Sequence, residues 1–220
     1  MPKLLSVRDV QTKQLSRSRI SPRRELVEQG RLRASFERRV NRQIMRSFRK
    51  TGDLARSEYI SAGRLVATPQ KSLQDITDVM ISHYRAVIEA FGLRVLRNYK
   101  QEAQFELILR DYINRQVGTR IVNINSTTMR QVRKIIADGE KDGIGVASIG
   151  RNIYREMNGA FSKKRSQVIS RTETHNAASF ANHQVNASLG IPNQKKRWVA
   201  TSDDRTRSIH AEMNGVEVGL

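Results

Sequence analysis

The densest group of side chains able to do chemistry lies between residues 171 and 210. Arg171, Glu173, Thr174, His175, Asn176 and His183 fall within a few turns of one predicted helix, and the apolar residues among them are mainly alanines. Small residues let another segment approach closely. Further on come Asp203, Asp204, Arg205, Thr206, Arg207 and His210, in which Asp203/Arg207 and Thr206/His210 are i,i+4 pairs. Two chemistries fit these residues. In the first, the two segments pair through charge, Glu173 meeting Arg205 or Arg207 and Arg171 meeting Asp203 or Asp204, a semi-buried network that fixes how a helix packs on a hairpin. In the second, Glu173, Asp203, Asp204 and His210 ligate a divalent cation, as in a nuclease. Interleaved arginines would compete with that cation, and no compact H-E-x-x-H spacing is present. The network Arg171, Thr172, Glu173, Trp198, Asp204, Arg205, Arg207 and His210 is therefore expected to be structural or interactive. No catalytic residue, metal or cofactor is assigned, and His83, on a helix flank, is given no role.

The elements that must carry these residues read as mostly α. Ser21-Pro22 offers an N-cap followed by proline in the first turn. Phe36, Val40, Ile44 and Phe48 follow at four-residue intervals, one oblique apolar stripe on an arginine-covered rod. Thr51-Gly52 is expected to end that helix, with a short one through Leu54, Tyr59 and Leu65 stopping before Thr68-Pro69. A long helix is predicted from Ser72 to about Tyr99 and another through Phe105, Tyr112 and Val117. Beyond Asn123 shorter elements are expected: a helix capped by Ser126-Thr127, a turn at Asp142-Gly143 and a helix closed by Asn158-Gly159. A long helix from Lys163 to Leu189 then ends at Gly190-Ile191-Pro192. Lys196 to Thr201 reads as a strand bearing Trp198, Thr206 to Met213 as a short helix, and Asn214-Gly215 as a turn into Val216-Glu217-Val218.

Composition narrows the function. The 220 residues carry 40 Lys+Arg against 21 Asp+Glu, a net charge of +19, with no Cys. Disulfides, thiolate zinc sites and thiol catalysis are thereby excluded. No apolar run approaches a membrane span, and no signal peptide is visible. Residues 1–50 contribute 15 basic and 4 acidic side chains, more than half of the excess. Residues 1–20 have few apolar groups, so they are expected to form a basic arm ordered only by a partner. A charge of this size calls for an anionic neighbour. Aromatic residues make up 5% without basic interleaving, which disfavours stacking on single strands.

The sequence Ile169-Ser170-Arg171-Thr172-Glu173-Thr174, then Gly190-Ile191, Lys196-Arg197-Trp198, Asp203-Asp204-Arg205-Thr206-Arg207 and His210, ending in Asn214-Gly215, resembles the phage Mu F-like head morphogenesis family. These are minor head proteins of tailed double-stranded DNA phages. The resemblance covers about residues 121 to 218. It implies a minor virion component, located in the head near the portal and in the host cytoplasm during assembly. Its implied partner is the portal protein, with nonspecific double-stranded DNA and the major capsid or scaffold protein as further partners, and no membrane.

The expected architecture is then a basic arm (1–20), an extended helical region (21–120) and a small α+β head-morphogenesis domain (121–220) ending in a β-hairpin-like element. Arg23, Arg24, Arg31, Arg33, Arg38, Arg39, Arg42, Arg46 and Arg49 are assigned to DNA or portal contact, and Phe36, Val40, Ile44 and Phe48 to an apolar docking stripe that its own bundle or a portal subunit would cover. The function expected is a non-enzymatic minor head protein that associates with the portal and contacts packaged DNA. The alternatives are a nonspecific DNA-binding packaging or ejection factor and a metal-dependent nuclease or toxin-like enzyme.

Overall fold

The computed structural model describes residues 22–96, 102–188, 193–198 and 207–219. The expected basic arm, the Gly190-Ile191-Pro192 stop and the Asp203-to-Thr206 stretch lie outside these residues. In chain order the elements are α1 (Pro22–Ala62), α2 (Thr68–Leu96), α3 (Glu102–Tyr112), a π-helical segment (Ile113–Val117), α4 (Gly118–Lys141), α5 (Val146–Asn158), α6 (Ala160–Ser188), β1 (Lys195–Arg197), α7 (Ser208–Glu212) and β2 (Glu217–Gly219). The mostly α fold with a small C-terminal antiparallel pair of strands agrees with the sequence reading.

The bundle is organised around α1. Its 41 residues rise about 60 Å, and α5 followed by α6 runs antiparallel along it. Met157 of α5 meets Gly52, Ile60 meets Gly150, and farther up Arg33 bonds His175 of α6. On another side α2 returns antiparallel, with Lys50 Nζ donating to Asp75 Oδ1 at 2.7 Å and Phe36 stacking near Phe91 at 6.5 Å. α4 packs across α2 and α5. One core runs through all of these helices, from Val40, Ile44 and Phe48 through Met80, Tyr84 and Ile88 to Ile121, Ile153, Ala177 and Val185. Residue 120, the expected domain boundary, falls inside α4, and the helices on its two sides share that core.

One open alternative is decided and two expectations need correction. Val40, Ile44 and Phe48 are buried in the protein's own bundle, and Phe36 packs against the same core. Of the two covers expected for the stripe, its own bundle is the one present, and the stripe offers no docking face to a portal subunit. Thr51-Gly52 does not stop α1. A Cβ on Gly52 would sit 2.5 Å from Met157 Cβ, so the glycine admits α5, while Thr51 Oγ1 bonds the Ser47 carbonyl and Ser72 Oγ. Ser126 and Thr127 lie within α4, where Ser126 Oγ donates back to the Asn123 carbonyl instead of capping a new helix.

α1 ends about three turns later, at Gly63, whose φ of 65° suits a left-handed C-terminal residue and whose N–H bonds the Tyr59 carbonyl at 2.9 Å. Glu58 then reaches from α1 to cap α2, accepting from the N–H groups of Ala67 and Thr68 and from the Thr68 hydroxyl at 2.6 to 3.0 Å. The Ala67 N–H, then the Thr68 hydroxyl, hold its carboxyl at about 2, well below the usual range. Thr68-Pro69 thus opens a helix, with proline in the first turn where its missing N–H is harmless.

Candidate functional site

The Arg-Thr-Glu-Thr-His run of α6 sits where four helices meet. Successive residues divide between solvent and core: Arg171 and Thr172 are exposed, Glu173 and Thr174 buried, and His175 exposed again. The 3.6-residue period explains this, since residues 173, 174, 177, 178 and 181 share one face. The alanines on that face bring α1 and α2 close enough for the polar side chains to reach across.

Glu173 Oε2 accepts a 2.7 Å hydrogen bond from the Tyr84 hydroxyl of α2 and a 3.1 Å charged one from Arg120 of α4. Its side chain is 10% exposed, that of Arg120 33%. The next residue, Thr174, pairs its hydroxyl with His83 Nε2 at 3.0 Å, and His175 Nδ1 faces Arg33 of α1 at 3.2 Å. Three consecutive residues of α6 therefore fasten α2, α4 and α1. Tyr84 stands edge-on to Tyr112 with centroids 5.6 Å apart, and Tyr112 lies 4.3 Å from the Phe180 ring.

Electrostatics follow from burial. Burial raises the Tyr84 phenol, reinforced by the adjacent Glu173 charge, so it stays a donor at every physiological pH. Tyr112 is pushed up to about 12, mainly by burial, with Arg120 opposing. Burial lowers His83 to about 4, with the Arg39 charge adding to the effect, so the imidazole is neutral. Burial also works against the Arg120 cation, but its bond to Glu173 prevails and raises it. A carboxylate with Tyr and Arg donors on one oxygen is held as an acceptor. Arg33, which has only protons to donate, makes His175 Nδ1 an acceptor, so this histidine is oriented by a cation and not by the carboxylate that a general base would have.

Relative to the expected network, Glu173 is engaged among the described residues by Tyr84 and Arg120. Of the two arginines expected to meet it, Arg207 is exposed next to α7 while Glu173 faces the bundle interior, and Arg205 lies outside the described residues. Arg171 and Thr172 are exposed on the opposite side of α6. Trp198 follows β1 and is 43% exposed. His210 lies in α7, and Asp203, Asp204 and Arg205 are outside the described residues. Among the described residues no group of three or more His, Asp or Glu side chains converges as metal ligands would. His83, given no role from sequence, is a buried member of the junction.

The strands pair Lys195 with Gly219, Lys196 with Val218 and Arg197 with Glu217. Glu217 accepts from both Lys195 and Arg197, an exposed cross-strand pairing. Trp198 N donates to the Val216 carbonyl at 2.8 Å and Gly215 N to the Trp198 carbonyl at 2.9 Å. Among the described residues neither strand packs on a helix, while Gln194, just before β1, donates to Asn186 of α6 at 3.2 Å.

The motif order along the chain is thus matched by a long helix with a buried glutamate followed by a two-stranded ribbon. Residues 130–220 match the family Phage Mu protein F like protein. The family resemblance read from the motifs is thereby shown for the segment that runs from mid-α4 through β2, and it points to a phage head morphogenesis protein. The chain is also similar to a protein of Enterococcus faecalis (strain ATCC 700802 / V583) titled NAD(+)--arginine ADP-ribosyltransferase EFV, 31% identical over 126 residues. That similarity covers 52% of this chain and 25% of the relative, so the chain spans about a quarter of the relative's length. No solved structure matches. Among the described residues no helix is long and apolar enough to cross a membrane.

The second candidate surface is the outer side of α1. Arg31, Arg38, Arg42, Arg46 and Arg49 are all exposed, opposite the Val40/Ile44/Phe48 stripe, and none has an acidic partner among the described residues. Helical rise spreads them over about 27 Å. Arg24 is tied to Glu28 at 3.4 Å and Arg33 to His175, while Arg39 faces the His83 side of the bundle. Arg23 lies in the first turn of α1. Of the nine arginines assigned from sequence, five thus form an unpaired ridge.

Proposed function

We propose that this chain is a non-enzymatic minor head protein of a tailed bacteriophage that associates with the portal during head assembly and contacts packaged DNA through the outer face of α1. The reading rests first on the family match of residues 130–220. It is carried by one structural observation, the internal use of the motif: Glu173, Thr174 and His175 each fasten a neighbouring helix. A motif spent on holding helices together suits a scaffold module.

The arginine ridge supports the DNA contact. Unpaired guanidinium groups on a straight helix can displace counterions from a duplex without reading sequence. The transferase title of the Enterococcus relative belongs to that protein, of which this chain spans a quarter. Mass spectrometry of gradient-purified heads tests the proposal. The protein should be present in head particles and reduced in heads that lack the portal. Its absence from heads, or release of nicotinamide from NAD by the purified chain, would overturn it.

A further inference from the structure

Three features converge at the α3–α4 junction. Ile113–Val117 winds as a π-helix between two α-helices, an extra residue in the turn of the kind that marks functional bends. Immediately before it, Tyr112 is 1% exposed, yet among the described residues its hydroxyl has no hydrogen-bond partner. Beside it a cavity of about 300 Å³ opens between α2 and α3, lined by Arg85, Leu109, Arg110 and Asn114 among others. On the outer side of α3, Leu107 is 56% exposed. A buried hydroxyl without a partner penalises the closed state, whereas the Tyr112 ring, edge-on to Tyr84 and packed against Phe180, favours it.

We infer that α3 is a flap hinged at the π segment. It alternates between this seated position and an open one in which the Tyr112 hydroxyl reaches water and the Tyr84 and Phe180 rings are uncovered as a hidden aromatic surface. The hinge is where it is because the π turn can lose its extra residue. Rewinding to an α turn rotates α3 relative to α4 by about 100° and shifts it about 1.5 Å along the axis. The remaining bundle stays fixed, since α4 is tied to α6 by Arg120–Glu173. This device is independent of the head-protein reading.

Hydrogen exchange on the full chain tests it. Amides of residues 102–117 should exchange at least tenfold faster than those in the centres of α4 and α6. Tyr112→Phe, which removes the unpartnered hydroxyl and keeps the ring, should slow them about tenfold. Leu109→Ala, in the seated face of α3, should speed them at least tenfold and leave the α6 amides unchanged. Protection of residues 102–117 equal to that of α6, no slowing in Tyr112→Phe, or equal acceleration of α6 in Leu109→Ala would overturn the flap.

Discussion

Replacing Glu173 probes the four-helix junction most sharply. Glu173→Ala removes the acceptor of the Tyr84 hydroxyl and the counter-charge of Arg120 together. The buried phenol left without a partner costs about 1–3 kcal/mol. Breaking a buried ion pair costs about 3–5 kcal/mol, but Arg120 is a third exposed and regains water, so its share is nearer 1 kcal/mol. The sum is about 3 kcal/mol, equivalent to a fall in Tm of about 6–12 °C for a chain of this length. Glu173→Gln keeps an acceptor for Tyr84 and should lose only about 1–2 kcal/mol. Urea unfolding with an unchanged m-value measures each difference. Because Tyr84 and Arg120 share one oxygen, Glu173→Gln combined with Tyr84→Phe should depart from additivity by at least 0.5 kcal/mol. Arg171→Gln, on the exposed side of the same motif, should stay within about 0.5 kcal/mol of the parent. Additive effects, or a Glu173→Ala loss below about 1 kcal/mol, would refute the junction.

Four other outcomes follow from the packing and the charges. Gly52→Ala should destabilise by about 1–3 kcal/mol, since its Cβ meets Met157 Cβ near the backbone, while Gly150→Ala, which meets the flexible end of Ile60, should lose less; denaturant midpoints decide. Stability should fall as pH drops from about 6.5 to about 4, because unfolded His83 takes up a proton that the folded, buried imidazole refuses; the loss is on the order of 2–3 kcal/mol, and His83→Gln should remove it. A second loss, between about 4.5 and 2, belongs to Glu58, whose folded carboxyl stays ionised below the unfolded range, and Glu58→Gln should flatten that part of the curve. Replacing Arg38, Arg42, Arg46 and Arg49 by Gln should reduce the log–log salt slope of duplex binding by up to about 3.6 while leaving the fold intact.

The helices were legible because their stripes are long: Val40, Ile44 and Phe48 are buried as the four-residue spacing required. Local punctuation was less readable. Gly52 looks like a stop, but its missing side chain serves a neighbour about 100 residues away, information that no local window contains. Ser126-Thr127 has capping chemistry, yet the helix was already running, and serine can bond back to its own helix at little cost. The motif places Glu173 in a structural network, and local sequence offers it the nearest arginine-rich segment as partner, whereas Tyr84 and Arg120 lie about 90 and 50 residues upstream. The signal that pointed elsewhere was Tyr84, in the middle of an apolar stripe. A phenol in a core requires an acceptor, and Arg120 beside Ile121 marks the helix that brings the cation. His83, adjacent to Tyr84, belonged to the same clue.

The central claim is a head component docked at the portal, and co-purification with the portal protein after nuclease digestion at about 0.5 M salt tests it most directly. At that ionic strength the Debye length is about 4 Å, so adhesion that reflects only a charge of +19 is largely removed. A stoichiometric complex that survives these conditions, and that survives Arg-to-Gln replacement along the α1 ridge, is the predicted result. Elution of the chain alone, with rebinding only to DNA at low salt, would contradict it.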